Sequence, residues 1–205
     1  MSSIIKVDKI QSVAGTTTSM TFDVGGNITE NNKEYFRVDL TTSQTGIAED
    51  SEATVDFGGS GTVIYDTKSK FDSGNDAYLL GSDGLYLITF SCSIASDAIN
   101  VEEIHDAGAQ IEVATDGSTY LGLFGASMRT NDIDDHGVGS VHLSNSIIYK
   151  STNLTTKIRL RVQCDLSDDS DTYEVRKDVD ANMQATTFST SNSVPITFMT
   201  VTRIG

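Results

Sequence analysis

The densest run of carboxylates in the chain is Asp165-Leu166-Ser167-Asp168-Asp169-Ser170-Asp171-Thr172-Tyr173-Glu174. Hard cations need several carboxylate and carbonyl oxygens within reach, so Asp168, Asp169, Asp171 and Glu174 are the candidate calcium ligands. The run lacks the sixth-position glycine and the ligand spacing of an EF-hand, and a solvated strand connection is the competing reading. His105, His136 and His142 fit no zinc spacing; His136 sits in the Asp-rich stretch Asn131–His136, which reads as a solvated loop. There is no GxSxG elbow, phosphate-cradling glycine loop or dinucleotide fingerprint. Cys92 and Cys164 lie far apart, at inward positions of alternating apolar runs, and read as small core residues; a bridge between them stays open. With 29 acidic residues, paired carboxylates arise by chance and point to no glycosidase. Tyr120, Phe124, Tyr149 and Tyr173 lie near loop ends, where aromatics suit sugar or receptor binding, with core or interface packing as the plainer alternative. These residues predict no catalytic site, no cofactor beyond a possible calcium ion, and no enzyme.

The elements that carry these groups read as strands. In 205 residues there are 17 Gly, one Pro and no Trp, and Ser and Thr are abundant. β-Branched and turn-forming residues in such numbers argue against long helices. In Leu85 to Ile94, the residues Tyr86, Ile88, Phe90, Cys92 and Ile94 share one face and Leu87, Thr89, Ser91 and Ser93 the other. Ile158 to Leu166 alternates as regularly. Tyr35–Leu40, Thr54–Phe57, Thr62–Tyr65, Val141–Tyr149 and Ile196–Ile204 add further strands, and Asp116-Gly117 is a favoured tight-turn pair between Ile111/Val113 and Tyr120–Phe124. Asp97 to Ala107 reads as loop. Eight to ten short strands separated by turn signals predict an antiparallel sandwich or barrel.

The balance of 14 basic against 29 acidic residues gives a net charge of −15. Such a chain repels phosphate backbones and anionic lipid, so neither nucleic acid nor membrane insertion is expected. No apolar run approaches the roughly 18 residues of a membrane span, and Met1–Ile10 does not follow the pattern of an export signal.

Two strands carry apolar residues on both faces. Leu85 and Leu87 stand opposite Tyr86 and Phe90, and Met199 and Val201 stand opposite Phe198 and Ile204. Leu85, Leu87, Met199 and Val201 are therefore the expected oligomer face, with cover by a local loop as the alternative. The first 33 residues form a separate arm whose Ile5, Val7, Ile10, Met20 and Phe22 are too few to make a core. Residues 34–205 form the main domain.

Val63 to Ile94, with Tyr65-Asp66, Phe71-Asp72 and Gly84-Leu85-Tyr86-Leu87-Ile88-Thr89-Phe90, resembles the complement C1q/TNF-like globular domain. The resemblance implies an all-β antiparallel jelly-roll sandwich and a homotrimer. The chain departs from that pattern at Ser82-Asp83, where a proline is usual, and at Thr197-Phe198-Met199 in the last strand. The leader Ile4-Ile5-Lys6-Val7-Asp8-Lys9-Ile10-Gln11, followed by Met20-Thr21-Phe22-Asp23 and Gly26-Asn27-Ile28, is similar to that of virion structural proteins of marine tailed phages. That second resemblance implies a phage fibre, appendage or capsid-decorating component. It would be assembled in the host cytoplasm, released by lysis, and held to other virion proteins by its N-terminal arm. A receptor- or glycan-binding module is the alternative, in a tail fibre or as a free C1q-like protein.

Overall fold

The computed structural model describes residues 33–81, 83–96, 104–129, 140–166, 171–177 and 196–204, and the backbone of 9–11, 18–22 and 28–30. The chain divides into two compact units between Glu34 and Tyr35. In the first unit, β1 (Lys9–Gln11), β2 (Thr18–Phe22) and β3 (Ile28–Glu30) pair antiparallel in the order β1-β2-β3. Ile10, Met20 and Phe22 fall on these strands; Ile5 and Val7 lie outside the described residues.

The second unit begins with β4 (Tyr35–Leu40), β5 (Gln44–Ala48), β6 (Ala53–Thr54), one helical turn α1 (Phe57–Ser60) and β7 (Gly61–Asp66). Short β8 (Phe71–Asp72) and β9 (Ala77–Leu79) lead into β10 (Gly84–Ser96) and β11 (Ile104–Ala114). There follow β12 (Leu121–Arg129), β13 (Ser140–Ser151), β14 (Lys157–Leu166), β15 (Thr172–Arg176) and β16 (Phe198–Arg203). Among the described residues they make two antiparallel sheets. One has seven strands in the order β5-β15-β10-β16-β4-β7, with β13 on the other edge of β10. The other has six strands, β12-β11-β14-β9-β8 with β6 beside β14.

The inner faces of the two sheets meet in one core. Because side chains alternate along a strand, Tyr86, Ile88, Phe90, Cys92 and Ile94 all point inward, as do Ile158, Leu160, Val162, Cys164 and Leu166. Phe36 stacks on Tyr78 with ring centres 4.2 Å apart, and Phe90 tilts against Phe124 at 5.8 Å. The buried Tyr86 hydroxyl donates to the Leu80 carbonyl at 2.6 Å, so the ring is buried without an orphaned polar end.

Four stretches differ from the sequence expectation. Thr54–Phe57 is not one strand: Asp56 caps a helical turn that begins at Phe57, accepting from the Gly59 amide at 2.7 Å. The Asp116-Gly117 pair sits in a longer loop, Thr115–Tyr120, in which Asp116 Oδ1 accepts from the amides of Ser118 and Thr119 at 2.8 and 2.7 Å. Gly117 there has φ +80°, which glycine adopts without strain. Ile104–Ala107 belongs to β11 rather than to a loop. Short β5 and β15 pair with one another; β5 carries little apolar alternation, and in β15 only Tyr173 and Val175 alternate, over five residues. After β15, Ile196 N–H donates to the Lys177 carbonyl at 3.1 Å, so the two ends of segment 178–195 are joined by a hydrogen bond.

Candidate functional site

The outer face of the seven-stranded sheet is the first candidate. Leu87 lies opposite Ile148 on β13 and Thr202 on β16, while Leu85 lies opposite Lys150. Leu85 is 40% exposed, Leu87 38% and Ile148 60%, and Ile204 beside them is exposed too. These side chains make an apolar patch at the β13–β10 end of the sheet. Further along, the Arg37 guanidinium lies 4.7 Å above the Phe198 ring and pairs with Asp39 at 2.6 Å.

Met199 and Val201 do not belong to this face. β16 runs between β10 and β4 in a register that sets Met199 opposite Phe90 and Val38, and Val201 opposite Ile88 and Phe36. Both are fully buried in the core, and Phe198 takes the outward position. The sequence shows that both faces of β16 are apolar but not which one points inward; only the pairing register decides that.

The outer face of the six-stranded sheet is polar. Glu112, 4% exposed, accepts from Arg159 Nε at 2.7 Å and from Arg161 Nη1 at 3.1 Å. Arg161 also pairs with Glu52, and the Arg159 guanidinium lies 3.9 Å above the Tyr120 ring. Beside this network a hollow of about 410 Å³ is lined by Glu52, Gln110, Ser127, Arg161 and Gln163 over a floor that includes Gly108. A Cβ on Gly108 would meet no atom within 4 Å.

Of the candidate calcium ligands, Asp168 and Asp169 lie outside the described residues. The Glu174 carboxylate is taken by Arg176 Nε at 2.5 Å, on the same strand. Asp171 precedes β15, and its carbonyl accepts from the Glu49 amide at 3.3 Å. The fold instead brings Asp165 together with Glu49 and Asp50, their carboxylate oxygens all within 4.8 Å of one another. No spacing in the sequence announces that trio, because β14 and the turn after β5 are far apart along the chain.

Ser91 Oγ lies 3.1 Å from His142 Nε2. The serine hydroxyl donates its single proton to the Ile196 carbonyl at 2.5 Å, so the imidazole N–H must donate to the serine oxygen. A general base needs the opposite arrangement. Both thiols are free and buried, and burial pushes each up to about 12, far from a nucleophilic thiolate. His136 lies outside the described residues. Among the four aromatics, Phe124 and Tyr149 pack against the core, and fully buried Tyr173 donates its hydroxyl to the Ser51 carbonyl at 2.7 Å. Packing, not sugar contact, explains those three.

No protein-family model matches the chain, and no curated protein matches it. Solved structures do. Murine APRIL matches at a TM-score of 0.51 and 8% identity, over 84% of this chain and 100% of that one. Eiger TNF from S. frugiperda matches at 0.50 and 8% identity, over 84% and 92%. The globular domain of zebrafish complement 1qA superposes more loosely, at 0.41 and 13% identity, over 83% and 94%. The fold is a jelly roll like those of APRIL and Eiger TNF. At these identities the likeness speaks for the jelly roll alone and not for the leader.

Proposed function

We propose that this protein is a non-enzymatic assembly module that works by burying the apolar outer face of its seven-stranded sheet against copies of itself. The observation that supports the reading most directly is the patch formed by Leu85, Leu87 and Ile148, three large apolar side chains in water on adjacent strands of a chain with net charge −15. Burial of such a patch yields about 25 cal/mol per Å² removed from water. The C1q/TNF-like resemblance favours a homotrimer. The leader resemblance favours a virion component of a tailed phage, a fibre, appendage or capsid decoration tethered to other virion proteins by residues 1–33. The acidic surface keeps densely repeated copies from clumping.

Mass in solution tests the assembly: a multiple of three chains for the native protein, and a folded chain that no longer assembles in threes when Leu87→Asp and Ile148→Asp are combined. A native protein that runs as one chain at micromolar concentration overturns it. Particles assembled with residues 1–33 deleted test the tether, and undiminished incorporation of the truncated protein rejects it. The hollow over Gly108, ringed by hydrogen-bonding side chains, favours a second reading in which this outer surface recognises a host glycan or receptor. Retention on a glycan array, abolished by Gly108→Gln, is its expected signature.

A further inference from the structure

β7 is an edge of the seven-stranded sheet. It pairs with β4 on one side, and among the described residues no strand pairs with the other. Its central residues Val63, Ile64 and Tyr65 are 40%, 52% and 43% exposed. An edge strand offers a row of unpaired N–H and C=O groups, and natural proteins blunt such edges with charges, proline, short strands or bulges. Here the only charge on the strand is Asp66 at its very end, and there is no proline. The pairing with β4 does contain one bulge, with Arg37 opposite Tyr65 and Val38 opposite Val63. It leaves Ile64 as the extra residue, and that side chain stands in solvent.

We propose that β7 is an interaction surface at which a second copy of this chain adds its own β7, antiparallel, so that the sheet continues across a twofold axis. The sequence Gly61-Thr62-Val63-Ile64-Tyr65-Asp66 is complementary to itself in that orientation. Centred between Val63 and Ile64, the pairing sets Val63 against Ile64, Thr62 against Tyr65 and Gly61 against Asp66. Aromatic and β-branched residues then face one another across the strands, a favourable combination. The two Asp66 carboxylates fall at opposite ends, about 17 Å apart at ~3.3 Å per residue, beyond the roughly 8–10 Å over which exposed charges are felt at physiological salt. A chain of charge −15 can approach its own copy most easily where charge is sparse, and Phe57 to Tyr65 contains no ionisable group apart from the Tyr65 phenol. Nothing along this edge selects a foreign cationic strand. The contact is isologous, with each copy presenting the same residues, so taken alone it closes at two copies. It lies at the opposite edge of the sheet from β13 and does not depend on the trimer; if both hold, trimers are joined through β7.

The test uses the full-length chain, with mass measured by light scattering and sedimentation over a range of concentrations. Val63→Lys combined with Ile64→Lys is expected to halve the native mass while the melting temperature stays close to native. The Leu87→Asp, Ile148→Asp chain, which lacks the other contact, is expected to run as two copies. If that chain runs as one copy, or if the lysine pair leaves the native mass unchanged, the β7 pairing is wrong whatever becomes of the trimer. Register is tested by mixing chains carrying Val63→Cys with chains carrying Ile64→Cys under mild oxidation. Facing residues are expected to cross-link, since directly opposed positions lie within disulfide reach, and failure of the mixture to cross-link above either chain alone rejects the register.

Discussion

On the outer face of the seven-stranded sheet, Leu85, Leu87 and Ile148 stand in water beside a lysine and threonines. On the outer face of the six-stranded sheet, Glu112 holds Arg159 and Arg161, and Arg161 reaches on to Glu52. The strands beneath are of the same kind, and both sheets bury their inner faces in the same core. The difference shows where each face finds its partners. On the six-stranded sheet Glu112, Arg159, Arg161 and Glu52 find partners among themselves, although Arg161 Nε is left without one. The apolar groups on the other face remain 38–60% exposed among the described residues, and that face is the one proposed above to assemble.

The sharpest way to break this comparison is to place one charge on either side of the same sheet. Met199→Asp puts a carboxylate into the core between Phe90 and Val38 and should destabilise by more than about 4 kcal/mol, enough to abolish folding of a marginal domain. Leu87→Asp points outward and should leave the thermal unfolding temperature near native while lowering the mass in solution. If the two behave alike, the facing of β16 or β10 is wrong.

The ion-pair face gives a smaller effect. Glu112→Gln leaves two partly buried guanidinium groups without their shared carboxylate and should cost about 1–3 kcal/mol in denaturant unfolding, with no change in mass. Phe198→Ala, which removes the ring beneath Arg37, should cost less, about 0.5–1 kcal/mol for the lost cation–π contact plus whatever packing goes with it.

The smallest effect comes from pH. Burial holds His142 below its ordinary value of 6.5, so the fold prefers the neutral ring. Its contribution is complete above about 6.5 and declines as pH falls through that value, because the unfolded chain then takes up the proton more readily. Asp116 acts further down: the Thr119 and Ser118 amides hold its carboxyl well below the ordinary 3.8, so its support is present above that value and is lost as pH falls towards the native one. His142→Gln should flatten the first decline in a stability profile and leave the second intact.

How much of this could be read from the residues varies by element. Tyr86, Ile88 and Phe90 alternate with Leu87 and Thr89 over a long strand, so the inward face of β10 was plain, whereas the sequence left open whether Leu85 and Leu87 stand exposed or under a local loop. β16 has Phe198 and Ile204 on one side and Met199 and Val201 on the other, and amphipathicity cannot rank two apolar faces; the β10–β16–β4 register ranks them. Gln44–Ala48 is too short and polar to show a period. The approach of Asp165 to Glu49 and Asp50 depends on where the turn after β5 comes to lie beside β14, which no local pattern encodes.

The bond between Ile196 N–H and the Lys177 carbonyl has a practical consequence. It fixes both ends of segment 178–195, so a guest sequence grafted there begins and ends at one place on the domain. Chain inserted between two points already held together adds little to the closure cost, about 0.6 kcal/mol for each doubling of length when the insert is flexible. An epitope tag or a small folded cargo inserted between Lys177 and Ile196 should therefore be carried by the jelly roll with little loss of thermal stability, turning this stretch into a display port.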